Sequence, residues 1–215
     1  MIAEQIMHKE LYTLLPTNTV HDAINLMHDK KIRHIPIINE HHELLGIVSD
    51  HDIKEALPSS LSNEDKSFVY SAPISQIMAT EPLYAHPLDF LEEIALTLYE
   101  TKKSCMPIVS SDKLVGIVTT TDLLYTYMEL TGTTTPGSKI DIRVKNRPGL
   151  LYEITDIFKE HHINVISVLV YADKNDSHYS IVSVRVRILN PTQLIEALRQ
   201  KGFDVLWPNI PGITR

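Results

Sequence analysis

Hydrophobic positions in the first part of the chain follow a helical period, then two short apolar runs, and then do the same again. After Pro16, residues Val20, Ala23, Ile24 and Met27 recur at three- and four-residue steps, which places them on one face of a helix. Thr19 and Asp22 stand at its start as a T-x-x-D capping box, in which a hydroxyl and a carboxylate satisfy backbone N–H groups that have no partner of their own. An apolar run around Pro36 follows, then a polar turn from Asn39 to Glu43, then a second run from Leu44 to Val48. That run leads straight into Asp50-His51-Asp52-Ile53-Lys54-Glu55, which reads as the start of another helix. Leu91, Ile94, Ala95 and Leu98 repeat the helical stripe. The pattern predicts two β-α-β-β-α units.

The repeat is also visible residue by residue. Ile6-Met7 returns as Ile77-Met78 and Pro16 as Pro87, each 71 positions later. His34-Ile35-Pro36-Ile37-Ile38 returns as Cys105-Met106-Pro107-Ile108-Val109 at the same offset of 71. Leu45-Gly46-Ile47-Val48-Ser49 matches Val115-Gly116-Ile117-Val118-Thr119 at 70, so the second copy has lost one residue between the two blocks. Neither copy has enough apolar surface for a comfortable core alone, and the two are expected to pack together.

A different pattern follows. Thr131 to Ser138 is small, polar and turn-rich and reads as a linker. Ile140, Ile142 and Val144 then alternate as a strand, Asn146-Arg147-Pro148-Gly149 makes a turn, and Leu151, Ile154, Ile157 and Phe158 line a helix face. Two strands, Ile163 to Ala172 and Tyr179 to Ile188, are joined by a turn from Asp173 to Ser177. Asn190-Pro191 opens a second helix with Leu194, Ile195 and Leu198, Gly202 closes it, and Phe203 to Leu206 gives a last strand. The order β-α-β-β-α-β is that of a ferredoxin-like plait. The fold class is therefore α+β, in three modules: 1–60, 61–130 and, after a linker at 131–138, 139–215.

Candidate chemistry sits where the second strand of each copy becomes a helix. Both copies carry Gly-h-h-[Ser/Thr]-x-x-Asp, Gly46 to Asp52 and Gly116 to Asp122 (h, hydrophobic). Backbone N–H groups at a helix start lack partners and the helix dipole is positive there, so a phosphate would be stabilised. A hydroxyl can donate to phosphate, and a carboxylate three residues on can accept from both hydroxyls of a ribose. Ser49-x-x-Asp52 and Thr119-x-x-Asp122 are equally well formed as plain capping boxes. Pro36 and Pro107 lack an N–H and leave a gap in a ladder or mark a sheet edge. A purine edge could use such a gap.

Charge and composition narrow the field. A net charge of −7, with 43% hydrophobic and 22% charged residues, is that of an ordinary globular chain and argues against broad nucleic-acid binding. No apolar run reaches the length of a membrane span, and the first residues lack a basic and apolar leader. With one cysteine, Cys105, no internal disulfide is possible, and the cytoplasm is the expected compartment. His41-His42 and His161-His162 complete no metal-ligand set, and no nucleophile, Walker or dinucleotide motif is present. The expectation is no metal, no cofactor and no enzyme.

On the paired junctions and h-Pro strands, residues 1–128 resemble a tandem of CBS (cystathionine-β-synthase) modules, the arrangement called a Bateman module. That resemblance implies adenosine ligands between the copies: AMP, ADP, ATP or S-adenosylmethionine. It assigns Ile35, Pro36, Ser49 and Asp52 to one site, with Thr17 assisting, and Met106, Pro107, Thr119 and Asp122 to the other. Leu88 stands at the counterpart of Thr17 and departs from the pattern. With Arg147-Pro148-Gly149-Leu150-Leu151 and His162-Ile163-Asn164-Val165, the third module resembles an ACT module, which implies Asn146, Gly149 and Asn164 as amino-acid contacts and a homodimer. Val144 occupies a position often polar in that family. The order of modules resembles the AcuB family of acetoin utilization. It implies a non-catalytic regulator of a metabolic enzyme in acetoin or butanediol breakdown, during growth and sporulation.

Overall fold

A computed structural model describes residues 1–58 and 67–208, which fall into two compact units divided between Leu124 and Tyr125. The first contains α1 (Val20–Lys30), β1 (His34–Ile38), β2 (Leu44–Ser49), α2 (Asp50–Ala56), α3 (Ser67–Ser71), β3 (Ala79–Thr80), α4 (Leu91–Thr101), β4 (Cys105–Ser110) and β5 (Lys113–Thr119). α5 (Thr120–Leu130) runs across the boundary. α1 starts as its sequence dictates: the Thr19 N–H and hydroxyl each donate to Asp22 Oδ2 at 2.8 Å, and Asp22 N–H donates back to Thr19 Oγ1 at 3.1 Å. Val20, Ala23 and Met27 are buried, and Lys31 closes the helix in the left-handed region at φ 55°.

β1 and β2 form a hairpin, with Pro36 opposite Ile47, and β4 and β5 form its counterpart, with Pro107 opposite Ile117. The leading strand expected in each copy is reduced to a single parallel bridge, Leu14 to Ile37 and Ala85 to Ile108. Pro16 and Pro87 explain the reduction: each lies two residues on, cannot donate to a ladder, and opens a turn closed by Asn18 N–H on Leu15 O and Asp89 N–H on His86 O.

The copies exchange their leading segments. β3, which leads into the second copy, pairs with β2 of the first, Ile47 opposite Ala79. Reciprocally, His8 of the N-terminal segment bridges Ile117 of β5, with His8 N–H to Ile117 O at 3.0 Å and Ile117 N–H to His8 O at 3.2 Å. The cores follow suit. Ile74 is buried with Val20, Ala23, Ile35 and Val48, and Ala72, Ile77 and Met78 pack on that cluster. Ala3 is buried with Ile94, Leu98, Ile108 and Val118, and Ile6 and Met7 pack there. The repeated Ile-Met pair thus accounts for the repeated glycine. A Cβ on Gly46 would lie 2.8 Å from Ala79 O and 2.9 Å from Met78 Sδ, and one on Gly116 would press on Met7.

In the second unit, α5 ends and a turn-rich stretch leads to β6 (Ser138–Lys145), α6 (Leu150–Glu160), β7 (Val165–Ala172), β8 (Tyr179–Val186), α7 (Thr192–Gln200) and β9 (Asp204–Trp207). The sheet order is β7-β8-β6-β9, antiparallel throughout, as a ferredoxin-like plait requires. Ile140, Ile142 and Val144 meet Val182, Val184 and Val186 under Ile154, Ile157 and Phe158 of α6 and Leu194, Ile195 and Leu198 of α7. Leu151 departs from its expected burial: it is exposed, and Leu150 packs on the core instead. Gly149, at φ 84°, starts the helix immediately before Leu150 and sets that phase. β7 is an edge strand whose Val168, Leu169, Val170 and Tyr171 are all exposed. Among the described residues no helix is long and apolar enough to cross a membrane.

Candidate functional site

The two strand-to-helix junctions have the same geometry. Ser49 N–H and hydroxyl donate to Asp52 Oδ2 at 2.7 and 2.6 Å, and Thr119 N–H and hydroxyl donate to Asp122 Oδ2 at 2.8 and 2.7 Å. Asp52 and Asp122 N–H groups each return a bond of 3.3 Å to the hydroxyl oxygen. The first helical N–H is also used in parallel ways, Asp50 to Arg33 O and Thr120 to Ser104 O, both at 3.0 Å. Each junction is therefore a complete capping box. Each box uses only the Oδ2 atom of its carboxylate and leaves Oδ1 outside it.

Both junctions open on one cavity of about 600 Å³ between the copies. It is lined by Pro36, Ser49 and Asp50 from the first copy and by Ile117, Thr119 and Asp122 from the second. The sequence sorted these residues by copy; the cavity draws on both, because each copy's sheet is completed by the other's leading segment. Asp52 and Pro107 do not line it. Ile35 and Met106 point into the two cores, since alternation along β1 and β4 turns them away from the rim, so a contact with a ligand would go through their backbone. Thr17 is exposed in the turn after Pro16, and Leu88, its counterpart, is exposed as well.

The lining residues that the sequence did not put forward as candidates include His8, Tyr12, His34 and Ser104. His34 Nε2 lies 2.7 Å from Ser104 Oγ, a bond between the copies, and His8 Nε2 lies 2.8 Å from Asp122 Oδ1. Their signal was available in the repeat itself, where His34 aligns with Cys105 and His8 with Ala79. Burial holds the His34 imidazole below the usual histidine range, against the pull of Asp50 and Asp52. Burial pushes the Cys105 thiol up to about 12, so it carries no thiolate near neutrality. Lys54, 2.8 Å from Asp50, holds that carboxyl below its ordinary range. His51 and Glu55, one turn apart on α2 at 3.6 Å, form an exposed contact beside Asp52.

In the second unit, Asn146 has both ends of its amide engaged: Nδ2 donates to Ser177 O at 3.1 Å, and Oδ1 accepts from the Ser180 hydroxyl. Asn164 offers its carbonyl to Arg187 N–H, and Gly149 is exposed at the head of α6. Val144 is buried in the core.

Paired β-α junctions around a shared cavity, followed by a plait, define a tandem regulatory module with a second α+β domain. The chain belongs to the CBS-domain family, whose model matches residues 3–59 and 74–129, and carries an ACT domain over 138–203. Among solved structures, a Vibrio cholerae protein described as an acetoin utilization protein (AcuB) is 34% identical, with TM-score 0.54 over 63% of this chain and 98% of that one. CBSX2, a CBS-pair protein of Arabidopsis thaliana, was solved in complex with AMP; it is 28% identical, with TM-score 0.53 over 60% of this chain and 97% of its own. The CBS pair of MJ0100, solved with 5′-methylthioadenosine and S-adenosylmethionine, is 26% identical, with TM-score 0.51 over 59% and 99%. The chain spans only 22% of the length of the two curated relatives it matches first, both O-acetyltransferases of methanogens. CBS and ACT domains are regulatory domains.

Proposed function

We propose that this chain is a non-catalytic regulatory protein that senses an adenine nucleotide in its CBS pair. The observation that carries the reading is the shared cavity. At about 600 Å³ it has the volume of a small-molecule site, and Ser49, Thr119 and Asp122 offer hydroxyls and a carboxylate of the kind a phosphate and a ribose take. Complexes of CBSX2 with AMP and of MJ0100 with S-adenosylmethionine support the ligand class. AMP, ADP, ATP and S-adenosylmethionine are the candidates. Binding between the copies would favour one packing of their exchanged segments, and a partner would respond to that packing. The AcuB likeness extends the reading to control of an enzyme of acetoin or butanediol use in the cytoplasm, during growth and sporulation.

Isothermal titration with the four ligands tests this. Saturable heat with at least one, weakened by Asp122→Ala, is expected; no heat and no melting shift at millimolar ligand would remove nucleotide sensing.

A second reading is a dimeric scaffold indifferent to ligand. The exposed apolar edge of β7 favours the dimer, since such an edge is a template for pairing with a second copy. Amino-acid sensing through Asn146, Gly149 and Asn164 is a third, and the internal engagement of the Asn146 amide weighs against it.

A further inference from the structure

Both oxygens of the Asp122 carboxylate are engaged. Its Oδ2 takes the Thr119 N–H and hydroxyl, and its Oδ1 takes His8 Nε2 at 2.8 Å. Asp52 in the first copy uses Oδ2 in the same way, with the Ser49 N–H and hydroxyl. The position equivalent to His8, by sequence offset and by register, is Ala79: Ala79 pairs with Ile47 as His8 pairs with Ile117. The fold therefore does not need a ring there. The backbone of His8 is pinned by its two bonds to Ile117, but 61% of its side chain is exposed, against 18% for Asp122. The ring has room to leave while the segment stays in place.

We propose that His8 is an internal competitor for the Asp122 carboxylate, covering the oxygen that a ribose would otherwise take and so setting the affinity of this corner. The inference rests on the nucleotide reading above. His8 lines the cavity beside Asp122, so a ribose reaching Oδ1 from there competes with the imidazole N–H for that oxygen. The apparent affinity is then the intrinsic one reduced by the fraction of molecules with the ring swung out.

The test is titration of the full chain with AMP, comparing the natural protein with His8→Ala and with His8→Gln, which keeps a donor on a flexible side chain. His8→Ala is expected to bind about threefold to tenfold more tightly, the gain from freeing one largely exposed hydrogen bond. His8→Gln should fall between, and it carries the test if the alanine variant melts early. Equal or weaker binding by both variants, with the natural protein binding well, overturns the competitor role and leaves nucleotide sensing standing; weaker binding would make His8 a ligand contact. If AMP binds none of the three, the same comparison is made with ADP, ATP and S-adenosylmethionine; no binding of any of the four removes the nucleotide reading, and the competitor role falls with it.

Discussion

The two CBS copies share a backbone and differ at the rim. Ser49–Asp52 and Thr119–Asp122 form the same capping box to within 0.1 Å in each bond, and both junction helices donate their first N–H to the residue before the h-Pro strand (Arg33 and Ser104 carbonyls). Around them, His8 faces Asp122 where the first copy has Ala79, and His34 stands where the second has Cys105. The capping boxes are repeated; the side chains beside them, His8 and His34, are not. A duplicated motif therefore does not imply two equivalent sites.

The sharpest way to break this comparison is at the glycines. Gly46→Ala sets a Cβ against a backbone oxygen, Ala79 O, whereas at Gly116 the obstacle is the Met7 side chain, which can turn aside. Gly46→Ala is expected to destabilise by about 1–3 kcal/mol and Gly116→Ala by less, read from denaturant midpoints. Equal losses would mean that the copies are buttressed alike.

Asp52→Ala and Asp122→Ala come next. Each removes a capping box and is expected to cost about 1 kcal/mol of stability, the same in both copies. Only Asp122 lines the shared cavity, so its loss is expected to weaken nucleotide binding about tenfold, and that of Asp52 less.

The smallest effect is in acid. Because the folded His34 binds its proton more weakly than the unfolded one, the unfolded chain takes it up first as pH falls through the histidine range, and stability drops. His34→Gln should flatten melting temperature between pH 7 and 5, while Cys105→Ser, whose thiol stays protonated there, should not.

Much of this architecture was legible in the sequence because it is local. The Thr19, Ser49 and Thr119 boxes, the stripes of α1 and α4 and the β-α-β-β-α-β order each follow from residues a few positions apart. The exchange of leading segments was not legible. An offset of 71 shows that Met7 and Met78 are equivalent, but not that each packs in the other copy's half, because pairing partners are a tertiary matter. β3 is two residues long and the His8 bridge is one pair, too short for any period. The resemblance placed ligands between the copies, but assigning residues copy by copy did not show that Pro36 and Ser49 share a cavity with Thr119 and Asp122.

A crystal structure of the AMP complex tests the central claim most directly. If AMP is the ligand that titrates, the account predicts it in the cavity between the copies, its ribose hydroxyls on the Asp122 carboxylate, its phosphate at the Ser49 or Thr119 hydroxyl, and the His8 ring turned away. Crystals grown in saturating AMP with both capping boxes intact, His8 still on Asp122 and no nucleotide between the copies would contradict it.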